Sequence, residues 1–411
     1  VTALAVVAAA LALLAWARLA LLGAAGRRAL IRLAPAGGAA VPPITVIVPC
    51  RDEAPGLERA MRSILAQDAP GLQVIAVDDR STDGSGALLD RLAADDARLE
   101  VVHVAALPEG WLGKNHACHA GAQRARGEWL LFTDADVVLA PGALRSAVAA
   151  ARAHGLGHLA VLPRFVAPGL LERAFVTAFA ALLGPLVRVH ELSRPATRAY
   201  FGVGAFNLVR REAYEAAGGH ARLALEVVDD LKLGLLLRRS GVAQGVADAG
   251  AVSVRWQHGF ARSVLGLVKN AFAALEYRPG RAAGAALLGA AAGAVPLAIV
   301  ALGPSPLARG LAAAALAVAA AHHAEAARRL AGASGAEGLL MPICAILLSG
   351  VVLASAAAAW ARGGVVWRGT HYPLERVRAG CLREDHLPVS GAVGWDAPDE
   401  AASRPAAPPV R

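Results

Sequence analysis

Between residues 44 and about 254 the apolar positions follow two alternating rhythms. ITVIVP, VIAVDD, LEVVHV and WLLFTD are short runs rich in β-branched residues, which predict buried strands. The first two are followed by stretches with helical spacing. Leu57, Met61, Ile64 and Leu65 form one stripe, and Leu88, Leu89 and Leu92 another. Strands alternating with helices predict an α/β domain built on a parallel sheet. HLAVLPRF and FGVGAFNLVRR read as further strands, the glycines of the second allowing a backbone or ligand to come close. REAYEAAGG reads as a short helix closed by glycine. Residues 169–192 read as a long helix with little polar surface, suited to rest on a bilayer or on the core.

Outside this region the pattern is apolar without a polar face. Residues 3–23, 282–302, about 307–324 and 338–361 are apolar stretches, and about 20 such residues cross a bilayer core. The third is shorter and ends at His322-His323, so three or four spans are expected. Arg27, Arg28 and Arg32 follow the first stretch and place that end, with the sheet domain, in the cytoplasm. Three further spans would leave Arg362, Arg368, Arg376 and Arg378 outside. Two spans, or a re-entrant third segment, would return them. In residues 258–277, Phe260, Val264, Leu267, Val268, Phe272 and Leu275 keep helical spacing. That helix fits either the membrane interface or the surface of the sheet domain.

The expected organisation is therefore an N-terminal transmembrane helix (1–25), a linker (26–43) whose APAGGAAVPP detaches the sheet domain, and an α/β domain (44–257). An amphipathic interface helix (258–280), a C-terminal membrane region (281–361) and a polar, partly disordered tail (362–411) follow. The 56% hydrophobic content and mean hydropathy of +0.48 agree with a multi-pass protein of the cell (inner) membrane. The net charge of +9 comes from arginines scattered over helix faces and membrane flanks, which argues for anionic headgroups and a nucleotide diphosphate and against nucleic acid. Cys50, Cys118, Cys344 and Cys381 show no paired spacing, as in a reducing compartment. His116, Cys118 and His119 lie on one expected helix with no second ligand pair, and read as a helix face rather than a metal site.

The candidate chemistry sits in four acidic clusters: Arg51-Asp52-Glu53, Asp78-Asp79, Asp134-Ala135-Asp136 and Asp229-Asp230. Three of them end a strand, where open α/β sheets bind ligands. Two carboxylates one residue apart suit a hard divalent cation gripping a diphosphate. Lys114, at the start of an expected helix, is placed to face phosphate. Asp83 reads as the N-cap of the helix that follows it.

Taken together, VIVPCRDEAPGLERAMRSILAQ, VIAVDDRSTDGS, GWLGKNHACHAG, FTDADVVLAPGAL and LALEVVDDLKLGLLLRRSG resemble the family 2 glycosyltransferases over residues 44 to about 278. The GWLGKNHACHAG segment, with its Gly-Lys pair before a helix, is similar to one in membrane-associated members that act on lipids, and the flanking spans resemble those of enzymes that glycosylate ceramide, carotenoid or hopanoid lipids. The resemblance implies a GT-A fold, a Rossmann-like nucleotide-binding sheet flanked here by transmembrane helices. It implies that Glu53, Asp78, Asp79, Lys114 and Asp134 bind a nucleotide-sugar donor, expected to be UDP-linked, and that Asp136, with Asp134, holds Mg2+ or Mn2+. Asp230 is implied as general base, with Asp229 in place of the family's glutamate, for an inverting transfer without an enzyme nucleophile. A lipid acceptor at the membrane is implied with it.

Processive members carry Q-x-x-R-W after the base, whereas VSVRWQHGFARS holds Arg255-Trp256 and Gln257 in another order, so transfer of one or a few sugars is expected. The alternatives left open are a non-catalytic membrane scaffold or polysaccharide-export partner with the same fold and, behind it, a processive synthase. A nucleotidylyltransferase is disfavoured, because CRDEAPG lacks the Gly-rich, Arg/Lys-ended loop that cradles a triphosphate.

Overall fold

The structure, a computed structural model, describes residues 1–35, 41–194 and 197–386. The last stretch read as disordered, DAPDEAASRPAAPPVR, lies outside the described residues. The strands are β1 (Ile44–Cys50), β2 (Gln73–Asp78), β3 (Leu99–His103), β4 (Trp129–Phe132), β5 (Val137–Leu139), β6 (His158–Val161), β7 (Arg164–Phe165), β8 (Asn207–Arg210), β9 (Gln244–Ala247), β10 (Val252–Val254), β11 (Gly364–Trp367) and β12 (Thr370–Pro373).

Among the described residues one seven-stranded sheet has the order β3-β2-β1-β4-β8-β6-β9. β3, β2, β1 and β4 run parallel, as the alternation predicts. β8 is antiparallel to both β4 and β6, so the sheet is mixed. The reason is local: residues 201–206 of FGVGAFNLVRR are not strand but cross the carboxyl ends of the parallel strands, and β8 enters the sheet from that end. HLAVLPRF also divides. β6 stays in the main sheet, while β7 joins β5 and β10 in a three-stranded sheet.

The two faces of the sheet follow from side-chain alternation. Ile44, Val46 and Val48 pack with Leu57, Met61 and Ile64 and with Leu144 and Val148. Ile47, Leu130 and Phe132 point the other way, against Cys118, Leu233, Leu236 and Leu237. The helices Ala54–Leu65 and Ala143–Ala153 therefore cover one face, and Gly113–Arg124 and Asp229–Arg239 the other. The chain before residue 36 does not leave the sheet free. Ile31 bridges Ala247, donating to Val246 O and accepting from Asp248 N, and so occupies part of the β9 edge.

Five helices among the described residues are long and apolar enough to cross a membrane, within Thr2–Ala29, Leu170–Glu191, Pro279–Leu302, Pro306–Ala331 and Ala336–Ala361. The second, 22 residues long, goes beyond the expected count of three or four. Both of its ends rejoin the sheet domain, through β7 and β8. Pro279–Leu302 leaves the domain and Pro306–Ala331 returns to it, where Arg329 pairs with Asp248. The last helix, Met341–Ala361, starts with Pro342 against Gly293, beyond the midpoint of Pro279–Leu302, and ends with Ala356 and Ala359 near Ala282. It thus runs down toward the domain. The helix Phe260–Ala274 buries Leu267 and Phe272 against Phe175, Val351 and Tyr277. Its apolar face is thus covered mainly by other helices, not by the sheet.

The segment after Ala361 is ordered through His386: β11 and β12 form a hairpin, followed by the helix Leu374–Ala379. A buried charge cluster fastens it. Lys232 and Glu276, both about 1% exposed at the side chain, pair at 3.1 Å, and Lys232 also donates to Leu382 O. Glu276 accepts from Glu384 N at 2.7 Å and from Arg281 at 2.9 Å. Glu276→Ala would leave the Lys232 ammonium buried without its carboxylate. It is expected to cost about 3–5 kcal/mol and to expose residues 380–386 to protease. Thermal unfolding in detergent and limited proteolysis measure the two effects; a variant as stable and as protected as wild type would contradict the assignment.

Candidate functional site

A cleft of about 270 Å³ opens at the carboxyl end of β1, β2 and β4. Its sheet-side wall carries Glu53, Asp79, Asp134, Asp136, Asp229, Asp230 and Lys114. Of the expected residues only Asp78 stands outside it. Asp78 ends β2, accepts from Ser81 N at 3.1 Å and lies 3.0 Å from His103 Nδ1, so it shapes the turn behind the cleft. Asp79 projects into the cleft, with Arg80 at 2.8 Å and Arg51 at 3.5 Å. Asp83 is not the N-cap, which falls on Gly84 at positive φ. Asp83 accepts instead from Ser85 N and from Ala54 N, tying the first turns of two helices together.

The D-x-D segment lies between β4 and β5, where the chain passes from the large sheet to the small one. Asp134 Oδ1 accepts from Lys114 Nζ at 2.9 Å. Lys114 reaches Asp229 as well, at 3.4 Å. Burial alone would lower the Lys114 ammonium, but Asp134, Asp229 and Asp230 hold it well above the ordinary lysine value. Two glycines of the 201–206 crossing make room for these groups. A Cβ at Gly202 would lie 1.9 Å from Asp230 O, and one at Gly204 2.5 Å from Asp134 Oδ2.

Asp229 and Asp230 open the helix Asp229–Arg239, where its amide dipoles favour negative charge. Asp230 accepts from Gly204 N and Leu231 N, both at 2.8 Å, which fixes its carboxylate. Burial raises it, against the pull of Lys114 and these two amides. Burial also raises Asp229, against Lys114. Asp136 is pushed up to about 7 by burial and then by two further carboxylates, Asp134 and Glu53. Glu53 is raised by burial and opposed by Arg368, which donates to it at 2.6 Å.

Asp136, Asp134 and Glu53 thus form an acidic group whose mutual repulsion is relieved by cation binding, and hard oxygen donors of this kind fit Mg2+ or Mn2+. Cys118 keeps different company from that expected. Its thiol, His220 and Asp229 offer ligand atoms within 4.8 Å of one another. There Lys114 already supplies the countercharge to Asp229, and burial pushes the Cys118 thiol well above its ordinary value. The donor set therefore favours the D-x-D side for a cation.

Several cleft residues escape a local reading of the sequence: Gly266, Lys269 and Asn270, which line the cleft with Trp256 and Gln257, and Trp367 and Arg368 from the tail. Trp256 stacks on Phe179 at 5.5 Å. For the tail a signal was present, since VVWRGTHYP alternates around a two-residue turn.

The mixed sheet, with its acidic clusters gathered at one end and a D-x-D between two sheets, defines a GT-A architecture. Residues 45–218 match the profile of Glycosyl transferase family 2, and the chain carries a domain of that family. The 4,4'-diaponeurosporenoate glycosyltransferase of Staphylococcus aureus (strain MRSA252) is 28% identical over 194 residues, 46% of this chain and 50% of that protein. The chain thus spans about half the length of such relatives. The mannosyltransferase PcManGT from Pyrobaculum calidifontis, solved in complex with GDP-Man and Mn2+, is similar at 25% identity and a TM-score of 0.51, over 86% of this chain and 98% of its own.

The pair behind the cleft has a pH signature. Hydrogen bonds from Ser81 and His103 outweigh burial and hold Asp78 below its ordinary value, while Asp90 and Asp78 raise His103. The histidine's contribution to stability is complete below about pH 6.5 and is lost as pH rises through its raised value. The aspartate's is present above about pH 3.9 and is lost as pH falls through its lowered value. His103→Ala is expected to lower the melting temperature between about pH 4 and 6.5 and to leave it unchanged well above the raised value. Melting curves of both proteins across this range check it; a loss that is uniform in pH would contradict the pair.

Proposed function

We propose that the protein is a membrane-bound inverting glycosyltransferase that moves a sugar from a nucleotide-diphosphate donor to a lipid-like acceptor, one or a few sugars at a time. The observation that carries this reading is the convergence of Asp79, Asp134, Asp136 and Asp230 on one cleft. The family domain and the GDP-Man and Mn2+ bound by the Pyrobaculum enzyme support the donor class. The named substrate of the Staphylococcus relative, a carotenoid-type lipid, supports the acceptor class.

In this reading Asp79 and Glu53 lie where the nucleotide is held, and Asp134 and Asp136 hold Mg2+ or Mn2+. The cation, when bound, offsets charge on the departing diphosphate. Lys114 keeps Asp134 and Asp229 in register beside it. Asp230, fixed by two amides and raised by burial, accepts the proton of the attacking acceptor hydroxyl. Because it attacks from one face and no side chain forms a covalent intermediate, the anomeric configuration inverts. Trp256 and the helix Phe260–Ala274 bring the acceptor side of the cleft next to the apolar helices.

The membrane arrangement follows the path of the chain. The tail packs on the sheet domain, so the helices between them make an even number of crossings. Pro279–Leu302 and Pro306–Ala331 supply these, Met341–Ala361 acts as a re-entrant segment, and Leu170–Glu191 dips without crossing. By the positive-inside rule the domain and Arg362, Arg368, Arg376 and Arg378 then share the cytoplasmic side.

Asp230→Asn is expected to lower sugar transfer by about 10²–10⁴-fold with donor affinity nearly unchanged, and a chelator to stop transfer by the wild type. Turnover of UDP- and GDP-sugars by protein in detergent, with a lipid extract as acceptor, measures both. Undiminished transfer in either condition contradicts the mechanism. Donor binding without any turnover by wild type would favour the scaffold alternative.

A further inference from the structure

The hairpin β11–β12 follows the last long helix, yet its turn reaches the cleft, where Trp367 and Arg368 join the lining and Arg368 donates to Glu53. We propose that Arg368 is a donor-binding residue whose guanidinium, together with the Lys269 ammonium, takes the diphosphate of the bound nucleotide. This rests on the donor reading above and assigns a group from outside the family-matched residues to that site.

The hairpin is a built part of the cleft. Val365, Tyr372 and Val377 are buried against Leu112, Val227 and Phe272. Tyr372 Oη donates to Trp111 O at 3.2 Å, and Arg376 pairs with Glu109 at 2.8 Å. Both contacts are made to the loop before Lys114, so the hairpin tip is held in register with the phosphate-facing end of the helix Gly113–Arg124.

The turn itself carries a cost. Arg368 and Gly369 are its two central residues, with φ of 47° and 81° between the paired Trp367 and Thr370. Such turns favour Asn, Asp or Gly at the first position, and a long side chain there is retained against the preference of the backbone. Asp52 and Arg80, at φ of 54° and 60°, are likewise non-glycine residues held at positive φ around the same cleft mouth. Backbone strain gathered in this way accompanies ligand sites.

The charges around the cleft point the same way. Lys114 bridges Asp134 and Asp229, and Arg51 lies between Asp52 and Asp79. Arg368 has one carboxylate, Glu53, for five N–H donors. Lys269 forms no ion pair among the described residues and sits 5.6 Å from the centroid of the Trp367 ring. Arg368, with donors left over beyond its one carboxylate, and Lys269 therefore bring two cations into the cleft that holds the carboxylates. Arg presents a planar fork that matches phosphate oxygens, and each such charged hydrogen bond contributes most where water is excluded.

The test compares nucleoside diphosphates with monophosphates, UDP with UMP and GDP with GMP, by titration calorimetry with Mn2+ on the full chain in neutral detergent, where no anionic headgroup competes. Arg368→Asn is expected to weaken diphosphate binding about tenfold or more, to leave monophosphate binding within about twofold, and to raise the melting temperature by relaxing the turn. Arg368→Lys is expected to recover part of the diphosphate affinity. Unchanged diphosphate affinity in Arg368→Asn, or an equal loss for both nucleotides, overturns the inference while leaving the donor reading intact. A wild type that binds neither nucleotide overturns the donor reading and this inference with it.

Discussion

One ammonium ion, that of Lys114, holds the acidic end of this molecule together. It lies 2.9 Å from Asp134 and 3.4 Å from Asp229, and so joins the end of β4 to the helix that carries Asp230. Without a cation at that point, the half-exposed Asp134 and the buried Asp229, from two distant parts of the chain, would repel one another. The glycines at 202 and 204 serve the same end, letting a backbone crossing pass close enough to donate Gly204 N to Asp230. The sheet order, the reversal at β8 and the placement of the D-x-D all converge on this contact.

The acidic wall is incompletely neutralised by the chain's own cations. Asp136 is pushed up to about 7 because burial, Asp134 and Glu53 act on it more strongly than Lys114 does. In the proposed reading a divalent cation and its anionic ligand would relieve this repulsion. Lys269 and Arg368 bring positive charge to the same cleft. The contact between Glu53 and Arg368 joins segments more than 300 residues apart at this one cleft.

Much of this was legible from local pattern. The β-branched runs located β1 to β4, and the acidic clusters after them marked the cleft because strand ends are set by periodicity alone. Gly202 and Gly204 were readable as sites of close approach, although not as the partners of Asp230 and Asp134. What escaped depended on distance in sequence. The antiparallel β8, the fifth long apolar helix, the approach of Cys118 to His220 and the return of the tail are all decided by tertiary packing. The tail looked polar because its apolar residues, Val365, Tyr372 and Val377, are few and alternate; their burial comes from Leu112, Val227 and Phe272, which no window around residue 370 contains. The arginines flanking the last helix posed a topological puzzle for the same reason; in the proposed arrangement the hairpin's seat on the sheet domain keeps them on the domain's side.

The central claim is that the converging carboxylates serve a divalent cation shared with a nucleotide diphosphate. Its most direct test is the free Mn2+ signal in electron paramagnetic resonance, titrated against the full-length protein with and without UDP or GDP. The account predicts one site that tightens when the diphosphate is present and disappears in Asp136→Asn. Binding that ignores the nucleotide, or that survives unchanged in the variant, would contradict it.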